Sequence, residues 1–209
     1  MQITKYVHSC LLVETPDRVA LFDPGAMSID SIPVDQIEQL DDIIITHIHG
    51  DHFVPDFIKQ LVQKFPGVAI TAPSEVVAAL GREGITATDQ PSAAITFFDA
   101  PHESVEPLFP QPEEVGVHYL DTLSDPGDSH SFTETKAILA LPITAPWGSS
   151  VRALNLALEL KPQYVIPIHD WHWRDEARTS TYDRYAEVLE EQGITFLKPE
   201  TGKPMTIDL

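Results

Sequence analysis

The segment Thr46-His47-Ile48-His49-Gly50-Asp51-His52 sets three imidazoles and one carboxylate within six residues. Imidazole nitrogens and carboxylate oxygens are the usual ligands of zinc, iron and manganese. Four such groups packed directly behind the apolar run Ile43-Ile44-Ile45 read as a metal or catalytic cluster rather than as a polar loop. Gly50 lets the backbone turn tightly between them. The cluster cannot complete two coordination shells alone, because a catalytic zinc takes three protein ligands and keeps one position open to water. Later strand ends offer the rest. His102 follows Ile95–Phe98, Asp128 sits in the turn Pro126-Gly127-Asp128-Ser129, and His169 follows Tyr164–Ile168. Polar residues at the carboxyl ends of apolar strands are where sites on such sheets form. His118 and His130 are rivals to His102, but His118 lies within a strand pattern while His102 follows one.

These residues need a scaffold of strands and helices. Ile3–Val7, Cys10–Glu14 and Val19–Phe22 read as a β-meander broken by Thr15-Pro16-Asp17 and closed by Asp23-Pro24-Gly25. Ile43–Thr46 is a strand apolar enough to be buried on both faces. Val54, Phe57, Ile58, Leu61, Val62 and Phe65 form one face of a helix stopped by Pro66-Gly67. Strands at Val68–Thr71, Ile95–Phe98, Val117–Leu120, Ile138–Leu141, Tyr164–Ile168 and Thr195–Leu197 then alternate with helices. The helices are expected at Ser74–Leu80 (Ser74 as N-cap), at Ser149–Leu160 (Val151, Leu154 and Leu158 on one face) and at Thr181–Gln192 (Tyr185, Val188 and Leu189 inward). The proline-rich Pro101–Pro112 reads as a loop. The pattern predicts one α/β domain over residues 1–209, with packed sheets and helices outside.

Thirty-two acidic residues against 13 basic ones give a net charge of −19. That balance argues against nucleic acid or an anionic membrane as partner. No apolar run approaches the roughly 20 residues of a membrane span. The N-terminus lacks a basic cluster leading an apolar stretch, and the single Cys10 excludes an internal disulfide, so the expected compartment is a reducing cytoplasm. Cys10 itself reads as a buried strand residue.

The order His-x-His-x-Asp-His, then a separate His, a Gly-Asp-Ser and a strand-end His, resembles the metallo-β-lactamase superfamily over nearly the whole chain. Val7-His8-Ser9-Cys10-Leu11-Leu12-Val13 and Leu21-Phe22-Asp23-Pro24-Gly25 resemble its branch of ascorbate-6-phosphate lactonase-like and general metal-dependent hydrolases. The resemblance implies a four-layer αββα sandwich of two mixed sheets. It implies two divalent ions, zinc first with manganese or iron as alternatives. His47, His49 and His102 would hold one, and Asp51, His52 and His169 the other. Asp128 would bridge them, and Asp51 would also orient an attacking water.

Such a pair acidifies a shared water for attack on a small ester, lactone or phosphoester. Its roughly fourfold local positive charge would attract an anionic small molecule despite the overall acidity. His130 is a candidate leaving-group acid or else a solvent-facing loop histidine. His8 is a substrate contact, a support for the ligands or a hydrogen-bonded core residue. Asp23 either anchors a ligand imidazole or makes an ordinary turn, and Trp147 and Trp171 either wall a pocket or pack under helices. The competing readings are a mononuclear iron dioxygenase of persulfide-type thiols and a non-catalytic ligand-binding relative. Self-association is compatible with the resemblance.

Overall fold

The computed structural model describes residues 1–209. The first strands are β1 (Gln2–Lys5), β2 (Leu11–Glu14), β3 (Val19–Phe22) and β4 (Asp42–Ile44). Helix α1 (Pro55–Lys64), strand β5 (Ala69–Thr71) and helix α2 (Ser74–Arg82) follow. Next come β6 (Ile95–Phe98), β7 (Gly116–Tyr119), β8 (Leu123–Asp125) and β9 (Ile138–Pro142). The chain continues through α3 (Ser150–Leu160), β10 (Tyr164–Ile168), α4 (Asp175–Glu190), β11 (Thr195–Phe196) and β12 (Pro204–Thr206). The class is the expected one, α/β with two mixed six-stranded sheets flanked by helices. Packing divides the chain into two compact units. One comprises residues 1–91, 112–114 and 200–209; the other comprises 92–111 and 115–199.

In the first unit the strand order is β12-β1-β2-β3-β4-β5. The meander half is antiparallel, and β3, β4 and β5 run parallel. Parallel pairing requires a crossover, and α1 supplies it between β4 and β5. Pro55 opens α1, where its missing N–H costs nothing, with Asp56 in the first turn and Lys64 in the last. Its Phe57, Ile58 and Leu61 pack with Leu21, Ile43 and Ile45 into this unit's core. Ser74 is not the N-cap of α2. Pro73 holds that position, and the Ser74 hydroxyl donates to the Asp89 carboxylate at 3.0 Å instead.

The second unit has the order β11-β10-β9-β8-β7-β6, parallel from β11 to β8 and antiparallel beyond. Helix α3 crosses from β9 to β10. Ser149 caps it, accepting the Arg152 N–H at 3.2 Å. Leu154 and Leu158 pack against the core as expected, but Val151 does not. Ala153 and Ala157 are buried and Val151 is 69% exposed, because small side chains let the helix lie close to its neighbours. Helix α4 starts six residues before the expected Thr181, in a polar turn whose Asp175 and Glu176 favour a helix N-terminus but carry no apolar signal. Tyr185 and Leu189 point inward as expected, whereas Val188 is only half-buried. No helix is long and apolar enough to cross a membrane.

Candidate metal centre

In the first unit, β4 ends at Ile44 and the His-rich loop begins two residues later. Asp23, at the end of β3, fixes that loop. Its backbone N–H donates to the Ile44 carbonyl at 2.9 Å. Its carboxylate accepts the Thr46 backbone N–H at 2.8 Å, the Thr46 hydroxyl at 2.7 Å and the His52 Nδ1–H at 2.8 Å. Asp23 is therefore an anchor and not merely turn chemistry. It also fixes the His52 tautomer, placing the ring's lone pair on Nε2.

His47 is held in the same way. Its Nδ1 lies 2.9 Å from the Glu114 carboxylate, both side chains being fully buried. The His47 ring stands 4.8 Å from that of His49 and 4.1 Å from that of His52. His8 Nε2 bonds the Asp51 carboxylate at 3.1 Å, and His52 Nε2 lies 4.0 Å from the same carboxylate. His8, Asp51 and His52 each present one ligand atom, all within 4.8 Å of one another. The loop also rests on Gly25. A β-carbon built there would lie 1.8 Å from the Asp51 carbonyl oxygen, so only glycine fits.

In the second unit, His102, Asp128 and His169 come together from three strand ends. The His169 Nδ1–H donates to the Thr144 carbonyl at 2.7 Å, and the His102 Nδ1–H donates to the Glu103 carbonyl. Both Nε2 atoms then face the Asp128 carboxylate, at 3.1 Å for His169 and 3.7 Å for His102. A lone pair directed at a carboxylate oxygen is repulsive unless a cation lies between them. The donor set thus fits a divalent metal: neutral imidazoles turned outward at Nε2, beside carboxylates, with each opposite nitrogen committed to an acceptor.

Trp147 enters from the other side, its indole N–H donating to Asp128 at 3.2 Å. It contacts a candidate ligand directly, which the pocket-wall reading did not anticipate. Glu103 braces this half. Its carboxylate accepts the His130 backbone N–H at 3.1 Å, the Ser131 hydroxyl at 2.6 Å and Arg152 at 2.8 Å. Burial works to raise the Glu103 pKa, but the hydroxyl, the amide and the guanidinium outweigh it and hold the carboxyl below its ordinary value.

His130 departs from expectation, while His118 lies within a strand as expected. His130 is buried, not solvent-facing, and its Nε2–H donates to the Pro142 carbonyl at 2.6 Å. Burial pushes its pKa down, and while that bond stands the Nε2 proton is not available to a leaving group. His118 lies inside β7, stacked 4.3 Å from Phe98, with Nδ1 bonded to the Ser124 hydroxyl at 2.9 Å. The residue beside Asp128 is therefore His102. Trp171 is 45% exposed and meets His172 in an edge contact, while Trp173 packs against the unit's core.

Sequence reasoning missed Glu103 and Glu114. Both sit in a loop rich in proline and acid, and no spacing links either to the histidine it supports.

A family model described as the beta-lactamase superfamily domain matches residues 2–169. Among curated relatives, Protein Rv0786c of Mycobacterium tuberculosis is 30% identical, covering 94% of this chain and 100% of its own. The UPF0173 metal-dependent hydrolase YtkL of Bacillus subtilis is 35% identical over 88 residues, 41% of this chain and 37% of its own. Among solved structures, Igni18, a metallo hydrolase from the archaeon Ignicoccus hospitalis, aligns with a TM-score of 0.72 at 17% identity, covering 100% of this chain and 98% of its own. At that identity the likeness is one of fold.

Proposed function

The chain belongs to the beta-lactamase superfamily, and from that premise we propose that it is a hydrolase whose two histidine–carboxylate sets jointly hold a pair of divalent cations, zinc foremost, and that it cleaves a small ester, lactone or phosphoester. The observation that carries the reading is the common orientation of four imidazoles. His47, His52, His102 and His169 each commit Nδ1 to an acceptor and so turn the Nε2 lone pair outward. When bound, two such cations acidify water and offset negative charge developing on a substrate oxygen.

The chain's own residues supply the rest. Asp23, Glu114, Glu103 and Thr144 set the tautomers of the ligand rings. Trp147 steadies the carboxylate assigned to both cations. Asp51, bonded by His8 and 29% exposed at its side chain, is assigned to orienting the attacking water. Substrate anionic character follows from the cations' charge, which dominates its own surroundings even in an acidic protein.

The test combines elemental analysis with a panel of lactones, esters and phosphodiesters. Close to two zinc or manganese ions per chain supports the reading; a single iron points instead to oxygen chemistry. His49→Ala and Asp128→Ala are expected to lose metal and turnover while keeping the wild-type circular dichroism. Full turnover in either variant would overturn the assignment.

A further inference from the structure

Glu114 lies in the short segment Pro112–Glu114 that belongs to the first unit, although the residues on either side belong to the second. It meets His47 twice. Their backbones form an isolated antiparallel bridge, and the Glu114 Oε2 lies 2.9 Å from His47 Nδ1. Both side chains have zero exposure. Taking a carboxylate out of water costs several kcal/mol unless a positive partner or good hydrogen bonds compensate it. A neutral imidazole N–H is a modest partner. An imidazole whose other nitrogen binds a cation is a far better one, because its N–H becomes more acidic and carries part of the positive charge.

Of the neighbouring rings, His52 is likewise backed by a buried carboxylate, and the other two are not. Asp23, which holds His52, divides its charge among three donors. His102 and His169 bond to neutral carbonyls. We propose that Glu114 is the positioning residue for His47: its buried carboxylate fixes the Nδ1–H tautomer and strengthens the Nε2 lone pair toward a divalent cation. The inference rests on the reading of His47 as a metal ligand. A carboxylate behind a ligand imidazole raises the ligand's basicity, and losing such a group weakens metal binding roughly 10- to 100-fold.

The test is a zinc titration of the metal-stripped full-length chain against a competing chelator, in the wild type, in Glu114→Gln and in His47→Ala. Gln preserves volume and an acceptor oxygen but removes the charge. The expected result is a loss of roughly 10- to 100-fold in affinity for one of the bound ions in Glu114→Gln. The metal-free melting temperature should be no lower than the wild type's, and His47→Ala should lose that ion altogether. Wild-type zinc affinity in Glu114→Gln overturns the role of Glu114 while leaving the metal site intact. Failure of the wild type to bind zinc overturns the site reading and this inference with it. A second measurement needs no Glu114 variant. In the wild-type apoprotein, nitrogen-15 NMR of the imidazoles, with His47 assigned through His47→Ala, should report the Nδ1–H form. An Nε2–H tautomer at His47 overturns the proposal whatever the variants do.

Discussion

Asp128 is surrounded by three groups of different kinds: two imidazole Nε2 atoms that repel its oxygen without a cation, and one indole N–H that binds it outright. The indole bond helps hold the carboxylate in place before metal arrives. Trp147→Phe keeps the aromatic packing against His130 and His169 but removes the donor. A hydrogen bond to a charged group contributes about 1.5–3 kcal/mol. Zinc affinity is therefore expected to fall roughly 10- to 100-fold, with kcat/KM falling in parallel and the fold unchanged. A competition titration checks this, and an unaltered affinity would show that the indole is only a wall. The contrast with the histidines shows what a sequence displays at this scale. His47, His49, Asp51 and His52 announce themselves by density, and His102, Asp128 and His169 by following apolar strands. Their supports do not. The acceptors for His102 and His169 are main-chain carbonyls, which no residue type marks, and Glu114 is brought to His47 only by folding.

The turns and strand ends that carry these groups are strained in a consistent way. His8, Asp23 and His169 have φ values of 66°, 43° and 60°, in the left-handed region that ordinary side chains avoid. Each such residue costs of order 1–3 kcal/mol, and surrounding structure must hold it. His169 is held partly by its neighbour, since Asp170 accepts the Tyr182 hydroxyl of α4. Burial, aided by the Asp170 charge, pushes that phenol's pKa well above its ordinary value. The loop after β4 depends on Gly25. In Gly25→Ala the new methyl would collide with the Asp51 backbone, so either β3 or the ligand loop must move. A loss of about 3 kcal/mol or more in unfolding free energy is expected, with metal binding lost even where the chain still folds; denaturant unfolding and zinc uptake measure the two separately.

In β7, burial lowers the His118 pKa against the opposing pull of Glu134. The unfolded chain then binds a proton before the native state does. Stability is full above about pH 6.5, the ordinary histidine value, and declines as pH falls from there toward the lowered native value. His118→Gln should flatten that decline by at most about 1.4 kcal/mol per pH unit in thermal melts of the metal-free protein. Element types were legible from period and punctuation except at β8 and β12, three-residue strands with no apolar run to mark them. The inner face of α3 and the start of α4 were not, because buried alanines and a polar first turn carry no hydrophobic signal.

At the scale of the whole molecule, the net charge of −19 is a standing cost, since like charges repel more strongly in a compact state than in an open chain. Part of that charge is buried: Asp23, Asp125, Asp128 and Asp170 are each almost wholly inaccessible, as is the Glu114 side chain. Arg18 pairs with a further buried carboxylate, Asp42. Cations bound among the histidines would offset buried negative charge there, and the native state alone presents those ligands together. Zinc should therefore stabilise the fold by mass action, by about 2.7 kcal/mol at a free concentration of 100 Kd. For a chain of this size that is a rise of roughly 5–11 °C in melting temperature. Sodium chloride also screens repulsion, but it acts on exposed charges across the surface and needs no ligand set. Melts in zinc should thus exceed melts in sodium chloride of equal ionic strength, and the excess should vanish in Asp128→Ala. An equal rise in that variant would mean that the metal acts on the acidic surface at large and not at the histidines.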